Sequence, residues 1–226
     1  MATLAFDVYG TLIDTHGLVG LLAKRLGERA RAFSELWRQK QLEYSFRRGL
    51  MGAYQDFSVC TAQALAYANE CSGRPLDEPF CRELLQGYVS LPAYPDVDEG
   101  LAAARRAGMR LFAFSNGRGE AVEQLLRHAG IRKWFEDVVS VDEVGSFKPD
   151  PTVYRHFLKR AGAAGEDAWM VSGNPFDVIG AAAAGMRTVW VRRSPAAVFD
   201  PWGIEPTVTV VSLAELAARV GAAAPV

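Results

Sequence analysis

Along this chain the spacing of apolar positions changes character twice. The first residues, Thr3-Leu4-Ala5-Phe6, form a short apolar run that ends on Asp7 and predicts a buried strand with an acid at its tip. From about Asp14 to Leu91 the spacing is helical, with no convincing strand. Leu18, Leu21, Leu22 and Leu26 recur first, then Phe33, Trp37, Leu42 and Phe46, then Phe57, Ala64, Leu65 and Ala68. Beyond Pro92-Ala93-Tyr94-Pro95 the chain reads as alternating helix and strand. Helices are predicted over 98–108, 119–129, 151–162 and 176–185, and strands over 110–114, 137–141, 168–171 and 188–191. A strand near 207–210 and a helix from Ser212 complete the pattern. Such alternation predicts an α/β protein: a parallel sheet with helices on both faces. The helical block then interrupts the sheet domain after its first strand. The expected division is a core of residues 1–13 and 92–226 and a helical cap of residues 14–91 above the strands' carboxyl ends.

Composition narrows the class without choosing the chemistry. The chain has 226 residues, 50% apolar and 23% charged, as is ordinary for a globular protein. A net charge of −1 offers no electrostatic grip on nucleic acid or membrane. No apolar run is long enough to span a bilayer, and the first residues lack a signal peptide's pattern. Cys60, Cys71 and Cys81 are odd in number and too far apart for a zinc knuckle, so reduced thiols in the cytoplasm are expected. No metal and no cofactor is expected.

Chemistry-bearing residues collect where predicted strands end, which in open α/β sheets is where ligands bind. The first strand runs into Asp7-Val8-Tyr9-Gly10-Thr11-Leu12, and the second into Ser115-Asn116-Gly117. The third is followed by Lys148-Pro149-Asp150 with Tyr154 beyond, and the fourth by Ser172-Gly173-Asn174-Pro175-Phe176-Asp177. Taken singly, Ser and Asn before a helix are cap candidates, Lys148 is a surface charge, and Tyr154 is packing. Together they place Asp7, Thr11, Ser115, Asn116, Lys148, Ser172, Asn174 and Asp177 on one edge of the sheet.

In this order the motifs resemble those of L-2-haloacid dehalogenases in the haloacid dehalogenase superfamily. The similarity extends into the helical block through Trp37-Arg38-Gln39-Lys40-Gln41-Leu42-Glu43-Tyr44 and Phe57, and so covers nearly the whole chain. It implies a Rossmann-like core and a catalytic set of Asp7, Thr11, Arg38, Ser115, Lys148, Tyr154, Ser172, Asn174 and Asp177. Asp7 would attack the α-carbon of a short L-2-haloacid, expel halide with inversion and leave an aspartyl ester. Water oriented by Ser172, Asn174 and Asp177 would cleave that ester, with Lys148 balancing the two carboxylates. Ser115 and backbone N–H groups near Val8 and Tyr9 would bind the substrate carboxylate. Arg38, Asn116 and Phe176 would cradle the halide, while Tyr9, Gln39, Leu42 and Phe57 would line an apolar pocket. A homodimer is expected, since many relatives pair through the cap. Gly173 and Pro175 depart from the commoner Ser and Ala, and Phe176 stands where some members have Trp.

Two other hydrolases share this outline. A metal-dependent phosphatase of the same superfamily carries a second Asp two residues after the first, where this chain has Tyr9. It also carries an Asp where this chain has Gly173, so an acid and a metal ligand are both missing. The other alternative keeps the aspartyl ester but expels the ring nitrogen of a strained cyclic amino acid.

Overall fold

The computed structural model describes residues 1–73 and 75–223. Its sheet is built from β1 (Thr3–Phe6), β2 (Arg110–Ser115), β3 (Asp137–Ser140), β4 (Ala168–Ser172), β5 (Arg187–Val191) and β6 (Val208–Val210). The strands lie in the order β3-β2-β1-β4-β5-β6, and every pairing is parallel. β1 is apolar and buried along its whole length, as a central parallel strand must be when both faces are covered. The chain fills one side of β1 with β2 and β3 and then returns to β4 on the other side. That reversal opens a crevice at the carboxyl end of β1.

The covering helices are α5 (Val97–Arg106), α6 (Gly119–His128), α7 (Pro151–Ala161), α8 (Pro175–Ala183) and α9 (Leu216–Ala223). Before them come α1 (Val19–Leu26), α2 (Ala30–Leu50), α3 (Phe57–Cys71) and α4 (Glu78–Tyr88), all between β1 and α5. Local signals account for several boundaries. Asp150 caps α7 by accepting from the Thr152 N–H, Pro151 opens the helix, and Gly162 closes it at φ +57°. Asp56 and Asp77 cap α3 and α4 in the same way.

Most boundaries fall within two residues of the expected ones, and two of the differences have a local cause. The third strand stops at Ser140, because its hydroxyl accepts from the Asp142 N–H and turns Val141–Val144 into a 3-10 helix. The last helix begins with a 3-10 turn, Leu213–Glu215, after Ser212 accepts from the Ala214 N–H. Side-chain capping competes with both strand extension and a full α-helical turn.

The two crossings between the sheet and the helical block are joined to each other. The Asp14 N–H donates to the Pro92 carbonyl (2.9 Å) and the Tyr94 N–H to the Leu12 carbonyl (3.0 Å), with Ile13 bridged to Ala93. Among the described residues, no helix is long and apolar enough to cross a membrane.

Candidate active site

Register places the site. Phe6 is level with Ala113 of β2 and Val171 of β4, so the next residue, Asp7, emerges at the sheet's edge beside the ends of both neighbours. The Asp7 N–H still donates to the Val171 carbonyl (3.0 Å), which fixes the backbone where the carboxylate leaves the strand. The turn that follows folds back on Val8, whose carbonyl accepts from the Thr11, Leu12 and Ile13 N–H groups. Gly10 makes that turn possible at φ +85°, where a side chain would be strained.

Asp7 is only 7% exposed, and its carboxylate is held at both oxygens. Oδ2 accepts from the Thr11 hydroxyl (2.8 Å) and the Asn174 amide (2.7 Å). Oδ1 accepts from the Lys148 ammonium (3.1 Å). The same ammonium donates to Asp177 Oδ2 (2.9 Å) and to the Phe114 carbonyl (2.9 Å), which uses all three of its protons. A buried cation shared by two buried carboxylates leaves one net negative charge in the cluster. The attraction of the ammonium for both carboxylates offsets part of the cost of burying them, and removing it would leave two uncompensated buried acids.

Asp177 is fully buried and accepts at Oδ1 from the Tyr154 hydroxyl (2.9 Å). Burial, chiefly, and the charge of Asp7 push its carboxyl up to about 6, against the pull of Lys148. Burial and then Asp177 itself push the Tyr154 hydroxyl well above its ordinary range, so it stays a donor. Tyr154 therefore holds Asp177 as well as packing against Phe114.

The cap candidates do not cap α6 or α8. Ser115 accepts from the Gly117 N–H (3.1 Å), while α6 starts later, with Arg118 at its N-cap position. Ser172 accepts from the Asn174 N–H (3.1 Å). Asn174 occupies the N-cap position of α8, yet its side chain turns to Asp7 and to the Tyr9 carbonyl (3.1 Å) instead of the helix. Asn116 accepts from the Lys148 N–H (3.0 Å) and so anchors that lysine's backbone beside β2.

Gly173 brings the two loops together. A Cβ there would lie 2.4 Å from the Gly10 carbonyl oxygen, and the Gly173 N–H donates to the Thr11 hydroxyl (2.8 Å). That hydroxyl accepts from the backbone, and its own proton is thereby directed to Asp7.

From the helical block, Arg38 reaches over the Gly10 turn and donates to the Tyr9 carbonyl (3.2 Å). Phe57 and Tyr88 pack on the Tyr9 ring, with centroids at 5.9 and 5.7 Å. Burial foremost, then Tyr88, raises the Tyr9 hydroxyl above its usual range. Phe176 meets Phe46 edge-on at 4.9 Å. Leu42 is half-buried on α2, while Gln39 is exposed on the same helix and is not drawn into the cluster.

Sequence reasoning overlooked Gln41. It is fully buried, accepts from both Arg38 (2.6 Å) and the Tyr88 hydroxyl (3.0 Å), and donates to Thr61 (2.6 Å). Its signal was an amide three residues past Arg38, which helical spacing places on the same face.

A carboxylate held at a strand tip, with a cation to balance it and a second carboxyl behind, has the chemistry of a carboxylate nucleophile. The comparisons with known proteins agree. The family of haloacid dehalogenase-like hydrolases matches residues 1–185. Haloacetate dehalogenase H-2 of Moraxella sp. (strain B) is 39% identical over 207 residues, 92% of this chain and 92% of that protein. The (S)-2-haloacid dehalogenase of Pseudomonas sp. (strain YL) is 37% identical, over 93% of this chain and 90% of that one. The L-2-haloacid dehalogenase from Xanthobacter autotrophicus superposes with a TM-score of 0.91 at 31% identity, over 98% and 99% of the two chains. That enzyme has also been solved with chloropropionic acid covalently bound, and this form superposes at a TM-score of 0.90. The chain belongs to the haloacid dehalogenase-like hydrolases.

Proposed function

We propose that this hydrolase removes halide from short L-2-haloalkanoic acids, giving D-2-hydroxy acids through an ester of Asp7. The observation that carries the reading is the Asp7 carboxylate itself, held at one oxygen by Thr11 and Asn174 and at the other by Lys148 alone. Oδ1 has the fewer donors and keeps the more available lone pair. It forms a bond to the α-carbon as the carbon–halogen bond breaks, and halide leaves with the bonding electrons. Ser115 and the turn at Val8 and Tyr9 take the substrate carboxylate, and Arg38, Asn116 and Phe176 receive the halide. Tyr9, Leu42 and Phe57 enclose the alkyl part, and Gln39, exposed on α2, takes no part in it. Water then adds to the carbonyl carbon of Asp7. Asp177 takes its proton, Ser172 and Asn174 orient it, and as the carbonyl re-forms the original Asp7 oxygen departs with the product, taking a proton back from Asp177. A carboxyl pushed up to about 6 is a competent base near neutral pH.

The relatives named for haloacetate and (S)-2-haloacids support this substrate class. Phosphoryl transfer needs an acid for the leaving alkoxide, and the raised, stacked Tyr9 hydroxyl is a poor one. The Lys148 ammonium supplies the positive charge between the carboxylates, so the reaction as proposed uses no metal and no cofactor. Among the described residues, no group of three or more His, Cys, Asp or Glu is arranged to hold a metal ion. The same proposal treats residues 14–91 as a cap on a core of 1–13 and 92–226, pairs two copies through that cap, and puts the reduced thiols in the cytoplasm.

The test is halide release from each enantiomer of 2-chloropropionate, run beside a generic phosphatase substrate, with and without saturating EDTA. Release from the L enantiomer alone, unaffected by EDTA, is the expected result. Phosphatase turnover that EDTA abolishes and magnesium restores would overturn the proposal.

A further inference from the structure

Arg193 lies two residues beyond β5, outside the set of residues discussed so far, yet its guanidinium has a more complete set of partners than Arg38. Nε and Nη2 both donate to the Thr11 carbonyl (3.1 and 2.6 Å), and Nη1 donates to both carboxylate oxygens of Asp96 (2.7 and 2.7 Å). Its face lies over the Tyr94 ring, 4.3 Å from the centroid. The side chain is only 14% exposed. Asp96 is fixed in turn by the Ser212 hydroxyl (3.0 Å) and the Leu213 N–H (2.7 Å).

The position of these partners matters as much as their number. Thr11 is on the chain's way out to the helical block, and Tyr94 and Asp96 are on its way back. One guanidinium from a third segment thus ties both crossings to the sheet. Thr11 is also the residue whose hydroxyl donates to Asp7, with that hydroxyl oriented by the Gly173 N–H. Arg193 thus holds the Thr11 carbonyl while the Gly173 N–H holds its hydroxyl, and that hydroxyl donates to the Asp7 carboxylate.

We propose that Arg193 is a positioning residue for the reaction: by clamping Thr11 to Asp96 it fixes the orientation of the Asp7 carboxylate for attack. The inference rests on the reading of Asp7 as nucleophile. A planar fork suits this task and an ammonium does not, because three N–H groups must reach two differently placed acceptors at once. Small errors in aim matter, since displacing a reacting group by about 1 Å can lower a rate about a hundredfold.

The test is a double-mutant cycle on the single-turnover rate of Asp7 ester formation, with KM and circular dichroism measured on every variant. Arg193→Gln is expected to slow ester formation about tenfold or more at an unchanged KM. In a Thr11→Val background the same substitution should cost about twofold or less, because the route to Asp7 is already cut. Arg193→Lys should recover thermal stability, through its charge opposite Asp96, but not the rate. If Arg193→Gln does not fold, Arg193→Lys and Asp96→Asn complete the same cycle with Thr11→Val. Equal rate losses in both backgrounds, or a wild-type rate in folded Arg193→Gln, would overturn the inference and leave the dehalogenase reading intact. A folded wild-type protein that releases no halide would overturn both.

Discussion

Asp177 shows how one side chain takes its chemistry from its surroundings. Burial raises its carboxyl to about 6, and Lys148 and Tyr154 keep it from rising further. If its ionised form is the base that activates water, cleavage of the ester should slow as the pH falls through about 6, because protonation removes the acceptor. Above that value the carboxylate is fully formed and the rate should level off. Asp177→Asn should still be alkylated at Asp7 but should release the ester slowly, and the acidic limb of the pH profile should vanish with the carboxyl. Mass spectrometry of the Asp7 peptide measures the trapped ester. In oxygen-18 water with enzyme in excess, the first product should be unlabelled while that peptide gains mass. Labelled product in the first turnover would mean that water attacks the substrate directly.

At the scale of elements, the site depends on two turns that nearly touch. The β4–α8 turn approaches the β1 turn so closely at Gly173 that a single methyl group meets the Gly10 carbonyl. Gly173→Ala must separate the turns, which would pull the Gly173 N–H off Thr11 and the Asn174 amide off Asp7. The expected cost is about 1–3 kcal/mol, read as a fall in Tm of roughly 2–4 °C per kcal/mol for a domain of this size. Activity should fall further than stability, since the displaced groups hold the carboxylate. A substitution that leaves Tm and turnover unchanged would show that the turns have slack. With this backbone a Cβ does not fit at Gly173.

Across the whole molecule, α2 brings Arg38 over a turn that belongs to the sheet, and Gln41 holds its guanidinium at the join. The arginine thus reports on how the helical block sits over the strand ends. If it receives the departing halide, Arg38→Ala should lower turnover more for the poorer leaving group, chloride, than for bromide, because the contact strengthens as charge develops. Arg38→Lys should recover only part of the rate. Equal losses for both halides would take Arg38 out of the leaving-group contact. Steady-state halide release on the two substrates makes the comparison.

What the sequence determined by itself was everything set by local spacing. The change of apolar period at about Asp14 and again at Pro92 predicts a helical block, where the structure has α1 to α4, and the alternation that follows fits the parallel sheet observed. The polar strand ends were legible too, because a carboxylate or hydroxyl directly after a buried run has little choice but to emerge at the sheet's edge. Other features lay beyond local reading. Asn174 looks like a helix cap and instead serves Asp7, 167 residues away. Lys148 looks like a surface charge and is 1% exposed between two acids. Arg193 gave no signal at all, and its acceptor lies 182 residues back along the chain. The resemblance had set Lys148 against the two carboxylates and Asn174 in the same site. The partners of Arg193 and all the contact distances came only with the tertiary structure. Strand order and register determine which loops meet at the crevice, and a buried polar group must take whichever partners that meeting supplies.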